Sequence, residues 1–152
     1  HRVAEVVHSR QQRIGDIDRV LSRLLGDGDG HRGVLAGLRA AGELGAPLEA
    51  AVDVFLDEAQ HRRMAAIGDE LRFVLITSQA RLRPASERPA TAVAAESVAK
   101  TGAWIAVSVD PAPKCARCWH RRPDVGSDPR HPEICGGCVG NLEGPGETRR
   151  YA

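Results

Sequence analysis

The chain has 152 residues, a formal net charge of +1 at neutral pH and only 3% aromatic side chains. That length suits one ordinary domain or two small ones, and the core must come from Leu, Val, Ile and Ala. No apolar run approaches the roughly twenty residues that would cross a bilayer, and the balanced charge makes no whole-chain case for nucleic acid, so any such surface must be local. The first residue is His1 and the only methionine is Met64, which leads us to expect a fragment or a processed product. The stretch from His1 to Arg13 is broken by Arg2, Glu5, His8 and Arg10 and has no apolar centre. It does not read as a secretory leader, and a cytoplasmic location is expected.

Val3, Val7, Ile14, Ile17, Leu21 and Leu24 recur at helical spacing and predict an amphipathic helix over 3–25. Its apolar stripe must bury against something, and if left open would let the chain self-associate, which sedimentation would detect. The run from Gly26 to Gly30 stops that helix; Asp27 and Asp29 lack the bidentate Glu of a calcium loop, so a turn is the better reading. A second short helix carries Val34, Leu35 and Leu38 and should end near Gly42 or Gly45. Alternation then predicts a strand over 51–56, with Val52, Val54 and Leu56 on one side and Asp53 opposite. Asp57 to Ile67 reads as a helix stopped at Gly68. The apolar, β-branched run from Leu71 to Ile76 reads as a buried strand, with a helical start through Glu70 as the alternative. Arg81 to Pro89 is expected to be a loop and Ala90 to Lys100 a weak alanine-rich helix. Ala103 to Val109 predicts a third strand, ended by Pro111 and Pro113. The expected class is α+β, a small mixed helix/strand body followed by a four-cysteine zinc knuckle or ribbon. The expected units are a helical segment over 1–33, a mixed α/β domain over 34–113 and a zinc module over 114–152.

All four cysteines fall in the last quarter, as Cys115-Ala-Arg-Cys118 and Cys135-Gly-Gly-Cys138. Two such hooks offer two thiolates each and together complete a tetrahedron, the pattern of one structural zinc ion. Disulfides are the rival, but the hook spacing and the absence of a leader argue against them. A closed four-thiolate site leaves no position for water, so this metal should hold structure and catalyse nothing. Gly136 and Gly137 are expected to supply a positive-φ turn in the second hook. His120 and His131 lie within the zinc loop and are the only candidates to replace a cysteine.

Catalytic motifs are missing: there is no phosphate loop, no zincin pair of histidines and no Gly-x-Ser-x-Gly elbow. Around the metal, two readings stay open. Either Lys114, Arg117, Arg121 and Arg122 neutralise the negative zinc–thiolate cluster, or Arg117, Trp119, His120, Arg121 and Arg122, with Arg149 and Arg150, form a surface for RNA phosphates and bases. Trp119 itself either caps the small core beside the metal or presents its ring to a base.

Several segments resemble one family. Lys114-Cys-Ala-Arg-Cys-Trp-His120, Asp124-Val-Gly126, His131-Pro-Glu-Ile-Cys-Gly-Gly-Cys-Val139 and Gly146-Glu-Thr-Arg-Arg-Tyr-Ala152 are similar to the C-terminal zinc-binding end of bacterial isoleucyl-tRNA synthetase. Upstream, Gly45-Ala-Pro-Leu-Glu-Ala50 and Gly68-Asp-Glu-Leu-Arg-Phe-Val-Leu-Ile-Thr-Ser78 continue the resemblance, which covers about 34–152. It implies one zinc on Cys115, Cys118, Cys135 and Cys138, isoleucine tRNA and the rest of a synthetase as partners, and residues 1–33 as a remnant of the anticodon-binding bundle. The family's two catalytic signatures do not occur, so ATP and the ligation chemistry would belong to the parent enzyme alone. Two alternatives are a free-standing zinc-ribbon adaptor for protein or nucleic acid, and the C-terminal finger of a DNA glycosylase.

Overall fold

The computed structural model describes residues 40, 42–94 and 103–151. The expected helix over 3–25 lies outside these residues. Of the second helix only Ala40 is described, followed by Gly42 at φ 75°, a left-handed stop of the kind anticipated.

The body is a four-stranded sheet in the order β2-β1-β4-β3. Its central strand β1 (Ala50–Leu56) pairs in parallel with β2 (Gln79–Pro84) and antiparallel with β4 (Ala103–Val109), and β4 also pairs with the short β3 (Val93–Ala94). A parallel pair demands a crossover. Here it consists of helix α1 (Glu58–Met64), a 3-10 stretch over Ala65–Glu70, and helix α2 (Leu71–Leu75). Asp57 starts α1 by accepting the Gln60 N–H at 2.9 Å, which satisfies one otherwise unpaired donor of the first turn. Gly68, at φ 54° and ψ −137°, breaks the run between the two helices.

One face of the sheet carries the core. Val52, Val54 and Leu56 of β1 and Ile105 of β4 pack against Met64, Ile67, Leu71 and Leu75 from the crossover. Asp53, on the opposite face, receives both Nε and Nη2 of Arg81 at 2.7 and 2.9 Å, a bidentate pair across the parallel strands. On that face Arg88 also stacks 4.1 Å from the Trp104 ring centroid.

Three sequence expectations need correction. Leu71 to Ile76 is a helix and not a strand: Leu71 and Leu75, one turn apart, are both buried in the core, while Ile76 ends the helix in the left-handed region. A short apolar run cannot be assigned by hydrophobicity alone. The supposed loop from Arg81 instead belongs to β2, in which Ala80 is buried and Leu82 packs against the core while Arg81 and Arg83 pair with Asp53. An edge strand tolerates such arginines, and Pro84 closes it. The expected helix over 90–100 is contradicted at Val93–Ala94, which forms β3; residues 95–100 lie outside the described set.

Asp110 hands the chain to the lobe: its N–H donates to the Glu49 carbonyl at 2.8 Å and its carboxylate accepts the Ala112 N–H at 2.9 Å. After the lobe the tail returns to the body. The Glu70 carboxylate accepts the backbone N–H groups of Arg150 and Tyr151 at 2.7 and 2.5 Å, and Tyr151 packs against the core.

Candidate metal centre

The first hook closes as a tight antiparallel turn bridged by Lys114 and Arg121. The Cys115 N–H donates to the His120 carbonyl at 2.9 Å and the Trp119 N–H donates back to the Cys115 carbonyl at 3.0 Å. That closure needs a left-handed residue, and Trp119 supplies it at φ 65° where glycine would be unstrained. The second hook is built differently from expectation. Neither Gly136 nor Gly137 has a positive φ; both lie in the first turn of helix α3 (Gly136–Glu143), with Cys135 as its cap. Gly136 is required for approach instead: its N–H donates to Asp124 Oδ2 at 3.0 Å, and a Cβ there would stand 2.8 Å from the same oxygen.

The four Sγ atoms lie within 4.8 Å of one another, with Cys115 to Cys138 and Cys118 to Cys135 both at 3.8 Å. That is far beyond the roughly 2.05 Å of a disulfide, and all four cysteines are free. It equals the edge of about 3.8 Å expected for a tetrahedron with zinc–sulfur bonds of about 2.3 Å. The donor set therefore fits one zinc ion, which would supply the charge that binds four thiolates at one point and no open coordination position. The histidines of the loop stand elsewhere: His131 Nε2 meets Glu143 Oε1 at 2.6 Å, and the His120 ring meets Phe73 edge-on, 6.3 Å between centroids.

The thiols are poised unequally. Burial pushes the Cys115 thiol up, but backbone N–H groups at Cys118, Cys135 and Arg117 outweigh it and bring it down to about 6. Burial pushes the Cys118 and Cys135 thiols upward, and neighbouring cysteines add to this. Four unneutralised thiolates cannot share so small a volume; a divalent cation held by Cys115, Cys118, Cys135 and Cys138 would replace the protons that otherwise occupy it. Little else holds the lobe, since its core consists of the cysteines with Val125 and Ile134.

The sequence-selected side chains divide into two groups. Arg121 turns inward, with Nη1 donating to the Ala112 carbonyl at 3.2 Å and Nη2 lying 3.4 Å from Glu49. Burial raises the Glu49 carboxyl, but the Gly45 N–H and Arg121 outweigh it and hold it below its ordinary value. Arg122 stands 3.7 Å from Asp124. Arg149 is bound to Glu147 and lies 3.6 Å over the Phe73 ring, while Arg150 is held through its backbone. Burial lowers the pKa of His120, and Arg72, Arg122 and Arg149 lower it further, against a smaller opposing effect of the Cys118 backbone. Arg117 and Trp119 face water, Trp119 at 62% exposure, which removes the reading of its ring as a cap on the metal core. The Arg117 side chain makes no hydrogen bond or ion pair among the described residues. Sequence reasoning missed Arg72, which is buried, bound to Asp69 and Glu147, and stacked 4.0 Å from Phe73. No motif marks it; only the returning tail gives it a role.

Four thiolates at tetrahedral spacing on two hooks define a structural zinc finger, and residues 113–140 match the family described as a zinc finger found in FPG and IleRS. The similarity extends well beyond the finger. The chain is 48% identical over 119 residues to the isoleucine–tRNA ligase of Nitrosococcus oceani, covering 78% of this chain and 12% of that protein. It is 53% identical over 114 residues to the ligase of Azotobacter vinelandii and 50% identical over 114 residues to isoleucine–tRNA ligase 1 of Pseudomonas fluorescens, each covering 75% of this chain and 12% of the relative. The chain is thus homologous to the zinc-bearing C-terminal region of isoleucine–tRNA ligase and spans about 12% of the length of these relatives. Among the described residues no helix is long and apolar enough to cross a membrane.

Proposed function

We propose that this chain is the tRNA-holding arm of an isoleucine–tRNA ligase, acting in the cytoplasm, with its zinc lobe laid against the anticodon end of isoleucine tRNA. The observation that carries this reading is Trp119, turned out to water on the first cysteine hook, two residues from Arg117, whose side chain has no partner among the described residues, in a chain with ligase-like sequence. An exposed ring and an exposed guanidinium two residues apart on one turn suit a base and its phosphate. Zinc contributes the rigidity, and Arg121 and the returning tail fix the lobe to the body. The chemistry of joining isoleucine to tRNA with ATP would belong to the remainder of the longer protein, and this segment would add grip and orientation.

The test is binding of isoleucine tRNA and of an unrelated tRNA to the zinc-loaded chain at two salt concentrations. Phosphate contacts give steep salt dependence, and base contacts give preference for the cognate RNA. Equal and salt-insensitive binding, or none, favours a zinc-ribbon adaptor. The DNA-glycosylase reading shares only the finger type with this chain, whereas the ligase similarity extends over 119 residues; preference for damaged duplex DNA over tRNA would restore it.

A further inference from the structure

Among the described residues, two non-glycine residues have positive φ: Ile76 at 56° and Trp119 at 65°. The same two are the most exposed large apolar side chains described, at 60% and 62%. Each is therefore unfavourable twice over. A β-branched or indole side chain in the left-handed region strains the backbone, and its bulk gains nothing from burial while it stands in water. Glycine or asparagine would end α2 and close the first hook with less strain. Strain that the fold does not require collects at sites of contact with a ligand.

The two residues lie on one seam between lobe and body. Trp119 precedes His120, whose ring meets Phe73, and Phe73 is one helical turn before Ile76. Two residues beyond each, Ser78 Oγ accepts the Arg121 N–H at 2.6 Å and stitches the segments together. Arg149 lies over Phe73. Beside this strip runs a cleft lined by Arg72, Arg117, Arg122 and Arg149 with Glu147 and three of the cysteines; Arg72, Arg122 and Arg149 have carboxylate partners and Arg117 has none among the described residues. Apolar and aromatic surface with cations alongside is the arrangement that suits a single strand, whose bases and phosphates alternate in the same way.

We infer that Ile76, a residue of the body, contacts the same single-stranded RNA as Trp119, so that the recognition surface crosses from the zinc lobe onto α2. The inference rests on the reading of this chain as an RNA-holding arm. Ile76 supplies an aliphatic face for a base or sugar, Trp119 a stacking face, and Arg117, which has no carboxylate partner among the described residues, takes a phosphate. The cationic cleft favours RNA over an apolar protein segment as the occupant.

The zinc-loaded 152-residue chain is titrated with the anticodon stem-loop of isoleucine tRNA and with a stem-loop of scrambled loop sequence. The variants are Ile76→Gly, Ile76→Asn, Trp119→Gly and, as an exposed control on α3, Leu142→Ala. Both Ile76 variants are expected to keep or raise the melting temperature, because Gly and Asn suit the left-handed region. They are expected to weaken stem-loop binding by about threefold to tenfold, with Trp119→Gly losing at least as much and Leu142→Ala unchanged. Undiminished affinity in the Ile76 variants beside a loss in Trp119→Gly overturns the inference and leaves the RNA reading standing. Binding of neither stem-loop by the unaltered chain overturns both. An equal loss in Leu142→Ala, or a lowered melting temperature in the Ile76 variants, also overturns the inference.

Discussion

Removing the metal should unfold the lobe and spare the body. In Cys118→Ser the lobe loses one of four thiolates, and the remaining apolar contacts are those of Val125 and Ile134 around the other cysteines. Two such side chains contribute roughly 1.5–3 kcal/mol each when fully buried, and these two are only partly buried. A structural zinc contributes on the order of 10–16 kcal/mol to folding. The metal term exceeds the apolar one severalfold, so no rearrangement of the lobe compensates for its loss. The body is held independently: of the residues in and around its core, only Leu44, ahead of β1, and Tyr151 lie outside the sheet and its crossover. Hydrogen exchange followed by mass spectrometry is the direct assay. Amides from Cys115 to Glu143 should lose protection in Cys118→Ser or under a strong chelator, while those of β1 and β4 keep it. Retained protection across α3 without metal would refute the reasoning. So would simultaneous collapse of β1.

Other outcomes follow from single contacts. Gly136→Ala places a methyl group 2.8 Å from Asp124 Oδ2; zinc affinity measured by chelator competition should fall by about tenfold as the second hook shifts. Zinc affinity should also rise with pH, because burial holds the Cys118 and Cys135 thiols protonated above the usual range and binding must displace those protons; affinity flat between pH 6 and 8 would contradict the thiolate assignment. Leu71→Ala should cost about 2–5 kcal/mol in denaturant melts, since Leu71 is fully buried on the core side of α2; a cost below about 1 kcal/mol would return this segment to the surface. A double-mutant cycle on Arg121 and Glu49, both partly exposed, should give a coupling of only about 0.5–1 kcal/mol, and a null coupling would mean that the lobe is docked by its other contacts, at Ser78, Phe73, Asp110 and the tail.

The four-cysteine cluster and the strands β1 and β4 were readable because each is a local pattern: Cys-x-x-Cys, Val-x-Val-x-Leu, and a run of alternating residues ended by prolines. Leu71 to Leu75 was not readable, because four apolar residues in a run of five satisfy either period and only the pairing of β1 with β2 removes the sheet position a strand would need. β2 was hidden by Arg81 and Arg83, whose partner Asp53 is 28 residues away from Arg81 in sequence. The arginines near the metal looked alike in the sequence. Structure separates them, since Arg121 is engaged by Glu49 while Arg117 is left to water.

The return of the tail to Glu70 has a consequence for how the lobe would behave without its ion. Because both ends of the lobe are fastened to the body, at Asp110 and at Arg150, the unfolded lobe is a closed loop and not a dangling end. Loop closure already restricts the separation of the two hooks, and its entropic cost grows only slowly with length. The hooks of a metal-free chain therefore stay at high effective concentration with respect to one another. In a fixed excess of zinc, the half-time of recapture should then be independent of how far the protein is diluted, with the two fastenings acting as a staple made of hydrogen bonds.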